Sequence, residues 1–181
     1  MSLQQSNENM AYRAARVLLL IGHCGKPRGV APGVTGRTLL AKLDFFLRYP
    51  AFLARAAKAL NQDVSLKALG VESAGELTSV ESHMVRYRYG PWDHAYYVIL
   101  AYLIGKGLLV VDLKNRTETF RLTDAGREMA DRIGRDPAFA DLAERADLVY
   151  ALFNRLGGTK LKDFIYREFP EVVSRDLGAA I

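Results

Sequence analysis

Gly36-Arg37-Thr38 is the tripeptide of this chain that most resembles a phosphate-binding loop, where Gly-Lys-Thr would stand. Such a loop needs a second glycine five residues earlier, where this chain has Ala31, and a lysine where it has Arg37. It also follows a strand, whereas the preceding segment is predicted to be helical. We therefore interpret the tripeptide as part of a connector and predict no bound nucleotide or other cofactor.

His23 and Cys24 are adjacent and could supply a base and a nucleophile, or two metal ligands. No Asp or Glu lies close by in sequence to orient the imidazole, and His83 and His94 have no ligand spacing to Cys24. The sequence favours a half-buried cysteine at a helix end and no metal site. Asp93 is interpreted as a favourable partner of a helix dipole rather than as an acid or base. We predict no catalytic residue and do not expect an enzyme.

Aromatic and arginine side chains are concentrated between residues 86 and 97. Such an arm can stack on nucleic-acid bases or bind a peptide. Alternatively, Tyr87, Tyr89 and Trp92 pack the junction between helices. A helical projection predicts that Trp92 anchors the core and that Tyr97 is exposed.

The basic charge of the chain is concentrated in its first two thirds. Residues 1–122 carry 16 Lys+Arg against 9 Asp+Glu, a net charge of +7, and residues 123–181 have a net charge of −2. This asymmetry permits contact with a polyanion, and it is equally compatible with a basic surface that favours solubility. One cysteine, a polar N-terminus and the lack of a long apolar run predict a cytoplasmic chain without a membrane span.

Apolar periodicity predicts a mostly helical chain with a small β-hairpin. A loop is expected at 22–36, a short helix at most around 64–69, and a strand at 84–89. Strands at 108–112 and 118–122 form a hairpin whose turn contains Lys114, Asn115 and Arg116. Helices are predicted at 7–22, 35–48, 50–60, 92–105 and 125–133, the last capped by Thr123, followed by one that starts at Asp136-Pro137 and one capped by Thr159.

The order helix, glycine, strand, basic turn, strand and capped helix is that of a winged helix-turn-helix. Residues 102–129, YLIGKGLLVVDLKNRTETFRLTDAGREM, resemble that superfamily. There, the third helix ends in L-x-x-x-G-L-[LIV], as at 103–109, and the second wing strand runs into L-T-x-x-G-[RK], as at 122–127. The resemblance implies a winged helix-turn-helix with a C-terminal helical extension, and it does not identify a ligand.

A second resemblance covers residues 11–133. GRTLLAKLDFFL at 36–47, followed by RYRYGPWDHAYYVILAYLIGKGLL at 86–109, is similar to bacterial winged-helix proteins in which a G-R-T-x-L-x-K helix precedes an arm ending in Y-G-P-[YW]. The Panacea antitoxin domain and small middle subunits of bacterial ATPase-containing defence systems are of this kind. This resemblance implies a role in regulation, or in neutralising or linking partner proteins.

The predicted domains are a winged-helix domain at 1–134 and a helical extension at 135–181. The extension carries long apolar stripes that need a covering surface, either the first helix of the same chain or a second copy. We expect a homodimer through these C-terminal helices. The stripes consist of Phe139, Leu142, Ala146, Val149, Phe153 and Leu156, and of Leu161, Phe164, Ile165 and Phe169.

Two functions remain open from the sequence. The first, which the sequence slightly favours, is a DNA-binding regulator; the alternative is an adaptor or antitoxin-like subunit that uses the winged helix to bind a protein. The basic half favours DNA, whereas the predicted recognition helix lacks the side chains that commonly read bases. Its uncharged face suits a protein partner. The residues predicted to contact nucleic acid are Arg37, Lys42, Arg86, Arg88, His94, Tyr97, Lys106, Lys114 and Arg116.

Overall fold

Most of the chain folds into helices, as predicted, and a small antiparallel sheet completes it. The structure is a computed structural model that describes residues 10–25, 33–78 and 83–181. The helices in this part are α1 (Met10–Cys24), α2 (Arg37–Arg48), α3 (Pro50–Ala59), α4 (Tyr96–Gly105), α5 (Asp124–Arg135), α6 (Ala140–Phe153), α7 (Gly158–Glu168) and α8 (Pro170–Val173). None of these helices is long and apolar enough to cross a bilayer.

The strands form two separate units. In the described residues they are β1 (Gly33–Thr35), β2 (Val85–Tyr87), β3 (Gly90–Trp92), β4 (Leu109–Lys114) and β5 (Thr117–Leu122). β5 lies between β1 and β4 in an antiparallel three-stranded sheet, and β2 pairs with β3. The predicted hairpin is confirmed: Asn115 and Arg116 form its two-residue turn, with φ of 50° and 61°. Positive φ at both positions is typical of the type I′ turn, which matches the twist of the strands.

The β4–β5 hairpin joins α5 through a cap that the sequence predicted. Thr123 Oγ1 accepts a hydrogen bond of 2.9 Å from the backbone N–H of Gly126. Gly126 lies so close to the preceding turn that a Cβ there would overlap the carbonyl oxygen of Leu108. Only glycine permits this approach, which explains the glycine of the L-T-x-x-G pattern in physical terms.

The apolar stripe of α6 packs on α1 and α2 of the same chain. Ala146, Val149 and Phe153 are buried, and the Phe153 ring stacks on Phe46 of α2 at 4.4 Å. The final helices add Phe164 and Phe169 to one cluster of buried residues that also includes α1. The division into domains at 134/135 remains a prediction, and this cluster crosses it. Dimerisation also remains a prediction. The apolar stripe of α6 gives it less support, because this stripe is covered within the chain.

Four local predictions were wrong. The predicted loop at 22–36 contains the end of α1 and strand β1, while residues 26–32 lie outside the described part. The predicted helix at 92–105 begins only at Tyr96, because Gly90–Trp92 pairs with β2 and Gly90 adopts φ 115°. α2 begins at Arg37 rather than at Thr35, which pairs with β5. Thr159 does not cap α7, whose N-cap is Gly157.

A Val149→Asp substitution distinguishes a core role of the α6 stripe from an interface role. Because Val149 is buried within the chain, an unpaired carboxylate there should lower the free energy of unfolding by about 3–5 kcal/mol. Thermal unfolding followed by circular dichroism measures this loss. Ala151→Asp, at an exposed position of the same helix, is the matched control and should unfold like the wild type. A stably folded Val149→Asp protein with half the wild-type mass in light scattering would instead assign the stripe to a dimer interface.

Candidate interaction surface

A buried carboxylate fixes α4 against α1 and α2. Asp44 of α2 accepts hydrogen bonds from Arg16 Nε of α1 at 3.0 Å, from Arg48 Nε at 2.9 Å and from Tyr96 Oη of α4 at 2.6 Å. Arg16, Asp44 and Arg48 are all inaccessible to solvent. Both oxygens of Asp44 are thus used, and three helices meet at one side chain.

A second carboxylate extends this network to the start of α4. Asp93 Oδ2 accepts bonds from Arg13 and Arg48, each at 2.8 Å, and Asp93 Oδ1 accepts from the backbone N–H of Ala95 at 2.8 Å. The interpretation of Asp93 as a helix-start residue is therefore incomplete: one oxygen supports the turn before α4 and the other bridges two arginines. The orientation of α4 is set by charged hydrogen bonds at its first turn as well as by apolar packing.

The charges of this network stabilise one another. Burial raises the pKa of Asp44, but the positive charges of Arg16 and Arg48 and the hydrogen bond from Tyr96 outweigh it, so the pKa lies below its ordinary value. Burial and the neighbouring Asp44 raise the pKa of the Tyr96 hydroxyl well above its ordinary value. Asp44 is consequently ionised at neutral pH, and Tyr96 remains a hydrogen-bond donor.

The outer face of α4 is apolar and open to solvent. Its inner residues, Tyr96, Ile99, Leu100 and Leu103, are buried. On the outer face, Val98 is 59% and Tyr97 56% exposed, and Tyr102 and Ile104 are also exposed. A helix that is apolar on every side is normally covered on every side, so this uncovered face is a candidate binding surface.

Arg37 connects this face of α4 to the β4–β5 hairpin. Its guanidinium lies over the Tyr97 ring, 5.0 Å from the centroid, and its Nε donates to Glu118 Oε2 of β5 at 2.7 Å. The hydrogen bonds to Glu118 are the main cause of the raised pKa of Arg37. Leu113, which is 72% exposed, lines a groove with Arg37 and Glu118. We name this the helix–hairpin surface and define it by Arg37, Tyr97, Val98, Tyr102, Leu113 and Glu118.

Exposed cations lie at the hairpin tip and at the end of α4. Lys114 and Arg116 are exposed at the turn, and Lys106 is exposed at the end of α4 with its Nζ 5.6 Å from the Tyr102 ring centroid. Within the described ion pairs, Arg121 of β5 is neutralised by Asp112 at 3.0 Å. The basic character of this region therefore rests on three side chains at the margin of an apolar surface.

Lys42 is the clearest error among the predicted nucleic-acid contacts. It is only 2% exposed, and its Nζ donates to the carbonyl oxygen of Thr38 at 2.9 Å. Burial, with a contribution from Lys162, lowers its pKa to about 8. A side chain enclosed in this way cannot reach a phosphate of a duplex. The prediction that Lys42 contacts nucleic acid was therefore wrong.

The other predicted contacts are divided between two parts of the protein. Arg86 Nε donates to the carbonyl oxygen of Val173 at 3.2 Å, and its guanidinium lies over Tyr166, so it faces α7 and α8 instead of α4. Arg88 is exposed and stacks on Tyr89, while His94 is exposed in the turn before α4. Only Arg37 and Tyr97 belong to the helix–hairpin surface, with Lys106, Lys114 and Arg116 around it.

The aromatic arm is split between core and surface. Trp92 is buried, with ring contacts to Tyr87, Tyr96 and Tyr97 at 5.4–6.0 Å. Tyr87 and Tyr89 are exposed. Neither sequence interpretation describes the arm as a whole. Trp92 packs the junction between helices, whereas Tyr87 and Tyr89 are accessible to solvent.

The structure shows the surroundings of the Gly36-Arg37-Thr38 tripeptide and of the His23-Cys24 pair. Strand β1 precedes Gly36, so the prediction that a helix comes before this tripeptide was wrong. The side chain of Arg37, which stands where a phosphate loop has lysine, is instead hydrogen-bonded to Glu118. Cys24 is half-buried at the end of α1, as predicted, and His23 Nδ1 lies 2.6 Å from Asp147 Oδ1 of α6. Among the described residues, no three His, Cys, Asp or Glu side chains are grouped to hold a metal ion.

Comparison with protein-family models, with curated proteins and with solved structures found no match to this chain. The geometry of the helix–hairpin surface is therefore the basis for proposing a function.

Paired alanine substitutions at Trp92 and Tyr97 separate the core from this surface. Trp92→Ala should lower the free energy of unfolding by about 3–5 kcal/mol because it empties a buried volume. Tyr97→Ala should lower it by at most about 1 kcal/mol, since most of the ring faces water. Urea unfolding followed by fluorescence of the remaining tyrosines compares the two variants. Equal losses would show that Tyr97 is a structural residue and that the surface is wrongly defined.

Proposed function

We propose that the chain is a non-catalytic winged-helix module whose helix–hairpin surface binds a protein partner. The element order supports the winged helix: α1, β1 and α2 are followed, after residues 49–95, by α4, the β4–β5 hairpin and α5. The sheet order β1-β5-β4 places the strand between the first two helices beside the second hairpin strand. In this proposal α4 is the recognition helix and the β4–β5 hairpin is the wing.

The observation that carries the proposal is the chemistry of the exposed α4 face. No Arg, Lys, Asn or Gln occurs between Tyr96 and Gly105, so the helix has none of the side chains that make the commonest bidentate base contacts. Exposed tyrosines and aliphatic side chains instead match the composition of protein interfaces, which are rich in aromatics and poor in charge at their centre. Tyr97, Val98 and Tyr102 would form that centre.

A DNA-binding regulator is the second candidate, and the hairpin tip favours it. Lys114 and Arg116 are exposed at the tip, where a wing would contact phosphate, and Lys106 is exposed at the end of α4. Three cations can supply sequence-independent affinity that falls steeply with salt, but they do not supply specificity. The adaptor or antitoxin-like role ranks first because the surface at the centre of this basic rim is apolar. A cytoplasmic location and a dimeric state remain predictions.

Site-specific photo-crosslinking in cells tests the first candidate. A photoreactive phenylalanine analogue at Val98 should give one discrete protein adduct, because this position lies at the centre of the proposed interface. The same group at Lys58, an exposed residue of α3, is the matched control and should not give that adduct. Adding Tyr102→Asp should abolish the adduct, since it introduces an unpaired charge at the interface.

Duplex DNA provides the opposing outcome. Anisotropy of a labelled mixed-sequence duplex at low salt measures whether the wild type binds, and Lys114→Ala with Arg116→Ala removes two of the phosphate contacts. DNA binding that this pair weakens and Val98→Asp leaves unchanged, together with no position-dependent protein adduct, would make DNA the partner and overturn the first candidate.

A further inference from the structure

Strand β4 forms a free edge of the three-stranded sheet. It is the terminal strand of the order β1-β5-β4, and no strand in the described residues pairs with its other side. Its six residues pair with β5 without a bulge, from Leu109 opposite Leu122 to Lys114 opposite Thr117. An unbroken edge of this length is a template on which another extended segment can form hydrogen bonds.

The register identifies which backbone groups face outward. A two-residue type I′ turn is closed by a hydrogen-bonded pair, here Lys114 and Thr117, and such pairs recur at every second residue of an antiparallel ladder. Residues 110, 112 and 114 therefore use their N–H and C=O groups within the hairpin. Val111 and Leu113 direct theirs to the open edge.

The side chains along this edge do little to block a further strand. Val110, Val111 and Leu113 are exposed, and β4 contains no proline. Asp112 is paired with Arg121, so the only charge on β4 without a partner among the described ion pairs is Lys114 at its end. Natural edge strands usually carry prolines, bulges or several charges that prevent pairing, and β4 has few of these devices.

We propose that the β4 edge binds an extended segment of the protein partner, with apolar side chains at its centre and acidic residues at both ends. The apolar centre would cover Val111 and Leu113. The acidic ends would meet Lys106 at one end of the edge and Lys114 and Arg116 at the other. This proposal rests on the protein-binding function above and specifies the kind of segment that the partner presents to the β4 edge, which shares Leu113 with the helix–hairpin surface.

Charge argues against a second copy of this chain as the occupant. Two β4 strands related by a two-fold axis would run antiparallel, so that the Lys106 end of each would lie beside Lys114 and Arg116 of the other. Like charges would then meet at both ends of the shared sheet, which is unfavourable. An acidic segment replaces this repulsion with attraction.

A labelled synthetic peptide, Glu-Glu-Val-Thr-Val-Thr-Val-Glu-Glu, is the probe for the edge. Fluorescence anisotropy at low salt should detect binding to the wild type, and the same peptide with lysines in place of glutamates should bind about tenfold more weakly or not at all. Leu113→Pro should weaken binding of the acidic peptide by about tenfold or more, because it removes an outward N–H and blocks the edge. Leu113→Thr retains that N–H and is the matched control.

Both variants should fold, since the N–H of Leu113 is not used within the hairpin, and circular dichroism checks this. Equal affinity for the acidic and basic peptides, equal effects of Pro and Thr at Leu113, or no binding of the acidic peptide would each overturn the proposal. A mass that doubles with concentration and returns to one chain in Leu113→Pro would identify a second copy as the occupant and overturn it as well. Crosslinking at Val98 is measured independently, so failure of the edge and failure of the protein-binding function are distinguishable.

Discussion

The carboxylate of Asp44 is the constraint on which the arrangement of the N-terminal helices depends. It is fully buried, and a buried carboxylate without partners would destabilise the fold by several kcal/mol. Arg16, Arg48 and Tyr96 satisfy it from α1, α2 and α4, so rotation of any of the three helices would break a hydrogen bond to this buried charge. Apolar packing alone would tolerate small shifts of one helix against another; directional hydrogen bonds to one group do not.

This constraint determines which side of α4 is available. Tyr96 is turned inward to reach Asp44, and the helical repeat places Ile99, Leu100 and Leu103 on the same side of α4, in the core. Tyr97 and Val98 must then face outward, beside Arg37 and the β4–β5 hairpin. The surface proposed to bind a partner is therefore a consequence of how α4 is oriented. Its part on α4 consists of the apolar residues of that helix that do not face the core. An apolar surface with a basic rim fits an acidic, partly extended protein segment better than it fits a base sequence.

Local signals in the sequence predicted the hairpin, the Thr123 cap and the helices with strong periodicity, because each depends on residues within one or two turns. They did not separate β3 from α4, since Pro91 is acceptable both in an edge strand and in a first helical turn, and only the partner strand β2 decides between them. Lys42 was misassigned because its burial depends on distant segments. The Asp44 network joins residues 28 and 52 positions apart. The only local sign of it was the spacing of Asp44 and Arg48, one helical turn apart in an otherwise apolar run.

The free energy of unfolding of Asp44→Asn, compared with wild type between pH 7 and pH 3, tests this account most directly. The pKa of Asp44 in the folded protein lies below its ordinary value, so its contribution to stability is present above about pH 4 and is lost as the pH falls further. We expect Asp44→Asn to be about 3–5 kcal/mol less stable than wild type at pH 7, because the buried charges of Arg16 and Arg48 lose the carboxylate of Asp44. We also expect the difference to narrow in acid. Asp131→Asn, at an exposed position, should behave like wild type throughout. An Asp44→Asn protein as stable as wild type at pH 7 would contradict the central place given to this carboxylate.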